Sequence, residues 1–176
     1  MGNLEKQQKI IILDDWLSKI ICKPAYQLKQ FSTTIEIENL PKNDMFIWSK
    51  IPVDDIKKII HLQKLGFYLV DTNIEFSLSK QMSPKKTLNV RFAQANDENA
   101  VRLIAKSAFK YNRFNRDPNI SDKIASKIKE EWAGNFFLGK RGKWMIVVEK
   151  NSDIVGFLQI IECNDDTLII DLIAID

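Results

Sequence analysis

Histidine and cysteine are almost missing from this chain, with His61 alone of the first and only Cys22 and Cys163 of the second among 176 residues. The two cysteines stand far apart without metal-ligand spacing, which excludes a zinc site and a disulfide scaffold. Free thiols in a reducing cytoplasm are expected. His61 has no serine or carboxylate constellation near it in sequence, so a histidine-based triad is excluded and a structural or solvated ring is expected. The six glycines form no Walker-type loop, and no nucleophile elbow is present. Long hydrophobic runs are lacking too: Ile10-Ile-Ile-Leu13 is far too short to span a bilayer. Charge of one sign is equally scarce, with 26 basic against 23 acidic residues and a net charge of +3. The basic excess before residue 87 is scattered (Lys19, Lys23, Lys29, Lys42, Lys57, Lys58), the pattern of a solvated surface. Neither nucleic acid nor membrane is an expected partner.

What remains is a globular composition, 45% hydrophobic and 28% charged, able to bury a core. The polar stretch Ser79-Lys-Gln-Met-Ser-Pro-Lys-Lys86 separates two strand-like runs. It predicts a small αβ N-terminal domain over 1–80, a linker over 81–87 and a second domain over 88–176. In the first, Ala25–Phe31 and Thr33–Ile37 are weak strand candidates and Met45–Ile51 a better one. Val53, Ile56, Ile59, Ile60 and Leu62 form an apolar stripe of helical period over Val53–Leu65. Asp54 and Asp55 suit its start and Gly66 its stop. Phe67–Leu78, with Ile74, Phe76 and Leu78 alternating, predicts a strand.

The second domain predicts α+β structure in the order β-α-α-β-β-β. Leu88–Phe92 opens it. Asn96 or Asp97 caps a helix whose apolar positions are Val101, Ile104, Ala105 and Ala108. A polar loop, Tyr111–Asn119, leads to a second helix capped by Ser121, with Ile124, Ala125, Ile128 and Trp132 on one face. Trp144–Glu149, Ile154–Cys163 and Thr167–Asp176 follow as strands joined by hairpin-length turns. The last has apolar residues on both faces, which predicts a central strand covered on both sides. Such a strand needs a neighbour on each edge. The neighbour is expected from a longer chain, from another copy in a homo-oligomer, or from the N-terminal unit.

From Leu88 onward these residues resemble the GNAT superfamily of acetyl-CoA-dependent N-acetyltransferases. The likeness rests on the opening strand with Arg91, the two helices around a polar loop, Ile154-Val-Gly-Phe157, and the closing Leu172-Ile-Ala-Ile-Asp176. Leu62-Gln-Lys-Leu-Gly-Phe67 and Phe109-Lys-Tyr-Asn-Arg-Phe114 are similar to segments of its two-domain branch, the dTDP-fucosamine type of amino-sugar acetyltransferase. The resemblance implies the N-terminal half of an acyl-CoA N-acyltransferase fold and direct transfer of acetyl from acetyl-CoA to a small amine. A nucleotide-linked amino sugar is the first candidate acceptor. It also implies that main-chain groups of Leu172, Ile173, Ala174 and Ile175 hold the pantetheine arm and acetyl carbonyl, or else these residues are simply core strand. Asp171 is the candidate general base, or alternatively a salt-bridged carboxylate. Arg113, Phe114 and Asp117 are candidate acceptor contacts, or Arg113 and Arg116 pair with Asp117 or Asp122.

The family's Arg/Gln-x-x-Gly-x-Gly/Ala turn, whose N–H groups and helix dipole receive the coenzyme pyrophosphate, has no counterpart here. The nearest match, Gln63-Lys-Leu-Gly-Phe-Tyr68, stands at a helix C-terminus, where carbonyls face an anion. The resemblance therefore implies a chain that ends before its coenzyme loop, with weak or no acetyl-CoA binding and no activity alone. The alternative is a non-catalytic binding or self-associating module derived from the half-domain. No metal is implied.

Overall fold

Residues 11–29, 44–79, 89–164 and 166–176 are described by the computed structural model, as two sheets and five α-helices in a mixed α+β arrangement. The chain divides into two compact units, Met1–Leu69 and Val70–Asp176. The predicted linker over 81–87 and the predicted strand Thr33–Ile37 lie outside the described residues.

In the first unit, β1 (Ile11–Leu13), β2 (Ala25–Leu28) and β3 (Phe46–Ser49) form a sheet in that order. The β1–β2 pair is antiparallel and the β2–β3 pair parallel. Between β1 and β2 lies α1 (Asp15–Ile21), which, like β1, sequence reading missed. Its start is fixed by Asp14, whose Oδ1 accepts from Leu17 N at 3.0 Å while Oδ2 accepts from Trp48 Nε1 on β3 at 3.3 Å. One carboxylate thus caps the helix and ties it to the sheet. The predicted helix over 53–65 is α2 (Ile56–Lys64), begun by Asp55, which accepts from Lys58 N, and followed by Gly66 at φ +91°. Leu28 and Leu62 centre the small core, with Ile11, Ile47, Ile51, Leu65 and Phe67 around them.

The strand predicted over Phe67–Leu78 does not form. Residues 67–79 have no regular structure, and Leu69, Ile74, Phe76 and Leu78 are exposed. Alternation specifies which faces a strand would have, but a strand exists only through a partner's hydrogen bonds, and none of the described strands pairs with this run.

The second unit follows the predicted β-α-α-β-β-β order with one insertion: β4 (Val90–Phe92), α3 (Glu98–Ala108), the four-residue α4 (Arg113–Arg116), α5 (Asp122–Gly134), β5 (Trp144–Lys150), β6 (Asp153–Asn164) and β7 (Thr167–Ile175). The strands pair antiparallel in the order β4-β5-β6-β7. Val101, Ile104 and Ala105 of α3 and Ala133 of α5 bury one face of this sheet together with Met145, Val147, Phe157, Leu172 and Ala174. Ser121 caps α5 as predicted, its Oγ accepting from Ile124 N. Asp97 does not cap α3 through its side chain. It accepts instead from Gln94 N at 2.7 Å and from both terminal nitrogens of Arg91, at 2.7 and 2.9 Å, while Arg91 also holds Glu149. The Arg91 guanidinium keeps the Asp97 carboxyl below the usual carboxylate range.

β7 differs from its prediction. It lies at the end of the strand order, paired with β6 alone among the described strands, and only Leu172 and Ala174 turn into the core. Ile173 and Ile175 are 59% and 74% exposed. Apolar residues on both faces predict double coverage; among the described residues of this unit, α3 and α5 cover one face.

Gly156 faces β7 so closely that a Cβ there would sit 3.0 Å from the Ala174 carbonyl oxygen. The obstacle is backbone, which yields only if the strands separate. Gly156→Val is expected to cost about 1–3 kcal/mol of stability through overpacking, read as a lower urea midpoint. An unchanged midpoint would refute the close β6–β7 approach.

Candidate functional site

The register of β7 slips by one residue beside its most polar position. Gln159 of β6 pairs with Leu172, but the next residue, Ile160, pairs with Ile170, leaving Asp171 as the extra residue of a bulge. A bulge breaks the alternation of faces and re-aims a side chain. Strict alternation along β7 would put Asp171 on the face of Ile173; the bulge instead leaves its carboxylate 8% exposed, beside Leu172 at 4%.

Four donors converge on that carboxylate. Arg141 grips it in a fork, Nε to Oδ2 and Nη2 to Oδ1, both at 2.6 Å. Trp132 Nε1 of α5 and Gln159 Nε2 of β6 donate to Oδ2 at 3.0 and 3.1 Å. Oδ2 is thereby crowded, whereas Oδ1 has Arg141 alone among the described residues and keeps an acceptor position. Removing one partner of a buried pair costs about 3–5 kcal/mol; Arg141 retains contact with water, so the lower end applies.

The connection between α5 and β5 brings Arg141 there. It turns through Gly139 and Gly142, at φ +65° and +86°, and is held by Lys140 N and Arg141 N donating to the Asn135 carbonyl. A Cβ on Gly142 would meet Gln159 Cγ at 3.1 Å, so glycine lets this turn lie against the buried glutamine. Gln159 is fully buried, and its Oε1 has no hydrogen-bond partner among the described residues.

Around this centre stands a second layer of cations on aromatic rings. The Arg141 guanidinium lies 4.8 Å from the Trp132 ring, and Lys129 Nζ lies 4.7 Å from the same ring and 4.8 Å from Phe109. Lys129 precedes Trp132 by three residues, one helical turn, which stacks both on one face of α5. Burial pulls the Lys129 pKa down to about 8, the positive charges of Arg113 and Arg141 push the same way, and Asp171 and Asp71 oppose them. Among the described residues no carboxylate lies within ion-pair reach of Lys129, whereas Lys127 on the same helix holds Glu131 at 2.7 Å.

Of the residues singled out in the sequence, Asp171 and Arg113 both act electrostatically on Lys129. Phe114 is 2% exposed, its ring inside the fold beneath the Arg113 guanidinium at 4.5 Å. Asp117 is buried at the end of α4 and accepts from Asn119 N. Leu172 and Ala174 are core residues; Ile173 and Ile175 stand in the non-hydrogen-bonded positions of the β6–β7 ladder. The Asp176 N to Val155 O bond fixes that phase, so the N–H and C=O of Ile173 and Ile175 point away from β6. Sequence reading missed Lys129, Arg141 and Gln159; Trp132, placed on the apolar face of its helix, does pack against the core while its Nε1 reaches Asp171. The one local signal was Gln159, a polar residue inside the apolar run Ile154–Ile161.

Comparison with known proteins adds one likeness. The chain is 25% identical to the spore coat polysaccharide biosynthesis protein SpsD of Bacillus subtilis (strain 168) over 185 aligned residues. The match covers 96% of this chain but 63% of SpsD, so the chain spans less than two thirds of that relative. No protein-family model matches. Among the described residues no helix is long and apolar enough to cross a membrane.

The site makes a prediction about Lys129. Its amine is expected to titrate near pH 8, followed by NMR of the lysine Cε, and Arg113→Gln is expected to raise the midpoint while Asp171→Asn lowers it. Between about pH 8 and 10.5 the unfolded chain holds a proton at Lys129 that the folded one lacks, so this group makes stability rise with pH across that window. A midpoint near 10.5 in the folded protein would refute its burial among cations.

Proposed function

We propose that this protein is an acetyl-CoA-dependent N-acetyltransferase of the GNAT type whose acceptor is the amine of a sugar, carried on a nucleotide, in polysaccharide assembly. The observation that carries this reading is the outer edge of β7. In that family the corresponding strand receives the pantetheine arm on its main chain, and here Ile173 and Ile175 direct their N–H and C=O outward beside the Asp171 bulge. Likeness to a polysaccharide biosynthesis protein supports the choice of a sugar acceptor.

Acetyl-CoA would supply the activated acyl group, and its pantetheine arm would bond as an added strand to Ile173 and Ile175. Its diphosphate has no helix start to rest on among the described residues. Of the four helices with seven or more residues, α1 and α2 begin at Asp14 and Asp55, whose carboxylates occupy the anion position, and α3 and α5 have Glu98 and Asp122 in their first turns. The acceptor amine would approach Asp171, whose Oδ1 is the position able to take its proton, while Arg141 and Trp132 hold the carboxylate in place. Catalysis would come from positioning and from strand N–H groups polarising the thioester carbonyl. Arg113 would contact the acceptor.

The test is release of free coenzyme A from acetyl-CoA in the presence of nucleotide-linked amino sugars, using residues 1–176 and the longest reading frame that contains them. Transfer by either supports the reading, and Asp171→Asn is expected to lower kcat by about 100-fold or more, the usual worth of a general base. No transfer by either to any amino sugar refutes it.

The same open edge favours a second reading, a self-associating module in which β7 pairs with β7 of another copy. Protection of the Ile173 and Ile175 amides from exchange, together with dimers in sedimentation, would support it. A monomer at millimolar concentration with fast exchange at both amides would eliminate it.

A further inference from the structure

Two stretches of the second unit present apolar side chains and main-chain groups with no strand beside them among the described residues. In residues 73–78, Ile74, Phe76 and Leu78 alternate with Asn73, Glu75 and Ser77. All three apolar side chains are exposed, Phe76 to 93%, and the run has no regular structure. It contains neither proline nor glycine, so nothing in its residues opposes an extended strand. Asn73 Nδ2 donates to Glu75 Oε1 at 3.1 Å, a contact suited to side chains that share one side of an extended chain. The other stretch is β7. Its edge away from β6 has no partner among the described strands, and Ile173 and Ile175 direct their N–H and C=O toward it. Exposed edges are commonly blunted by lysine or proline, and Thr167–Ile175 carries neither. The side chains of Ile173 and Ile175 are exposed as well, opposite the face packed by α3 and α5.

We infer that residues 73–78 of one copy add as a strand to the outer edge of β7 in a second copy, and that the exchange is reciprocal. Each chain has one strand to give and one edge to receive it. A twofold axis satisfies both and closes the assembly as a dimer. Pairing of β7 with β7 would leave Ile74, Phe76 and Leu78 in water. In the exchange these three lie beside Ile173 and Ile175 on one face, an apolar cross-strand arrangement. The main-chain groups of the run meet those of Ile173 and Ile175, as in other strand additions. Covering about 100 Å² of each of these side chains, in both halves of a twofold pair, removes about 1,000 Å² from water. That reaches the roughly 1,000 Å² which a specific interface needs, before the main-chain hydrogen bonds are added. The inference does not rest on the transferase reading. Both use the outer edge of β7, but association is measured without coenzyme, so either can fail alone.

The test is sedimentation equilibrium with amide hydrogen exchange on the 1–176 chain. Wild type is expected to dimerise, with slow exchange over residues 74–78 and at Ile173 and Ile175. Phe76→Asp and Ile173→Asp alter exposed side chains, so both are expected to keep the wild-type circular dichroism and to weaken dimerisation at least tenfold. Mixing the two variants is expected to give dimers at concentrations where neither dimerises alone, because the intact run of Ile173→Asp fits the intact edge of Phe76→Asp. Absence of mixed dimers at millimolar concentration overturns the inference. So does a Phe76→Asp chain that dimerises like wild type; with Ile173→Asp monomeric, that result assigns the contact to β7 with β7. A wild-type monomer at millimolar concentration overturns it too. If that monomer protects Ile173 and Ile175 and Phe76→Asp removes the protection, the run closes on its own chain instead of a second copy.

Discussion

An extra residue in β7 turns one carboxylate into the fold, and the arrangement around it depends on that turn. Without the bulge, alternation would put Asp171 on the helix-free face with Ile173. With it, the Asp171 oxygens face α5 and the α5–β5 connection, where Trp132, Arg141 and Gln159 all donate to them. A buried carboxylate is tolerated only when such donors satisfy it. The acid in turn fixes the indole on which Lys129 and Arg141 rest.

β7 therefore does two different jobs across its width. Through Leu172 and Ala174 it closes the core over α3, and through its ladder with β6 it is bound into the sheet. Its far edge keeps main-chain groups directed outward, which is a liability in a finished sheet and an asset where a ligand or another strand is meant to add. The close approach at Gly156 and the bulge at Asp171 bracket the stretch where this edge has no partner strand among the described residues.

Local chemistry made much of the fold legible. Apolar spacing located α2, α3 and α5, Ser121 announced a helix start, and Gly66 a stop, because caps and stripes depend on neighbours a few residues away. Pairing is not local in that way. The alternating run 67–78 carries the signature of a strand and has no regular structure, and β1 with α1 passed unread because three apolar residues beside a short helix give too little periodicity. The candidate site was legible only in part. Asp171 and Arg113 stood out as charges in apolar or looped contexts, whereas Lys129 and Arg141 looked like any of the many basic residues on a solvated surface.

Composition and periodicity by themselves determined the globular class and the β-α-α-β-β-β order of the second unit. Tertiary structure alone decided which edge strand pairs on one side only among the described strands, which way Asp171 points, and which cations lie on the Trp132 ring. Trp132 and Arg141 reach Asp171 across 39 and 30 residues of chain. Register and bulges are set by the packing of whole strands and helices, so the direction of one carboxylate is a property of the assembled sheet.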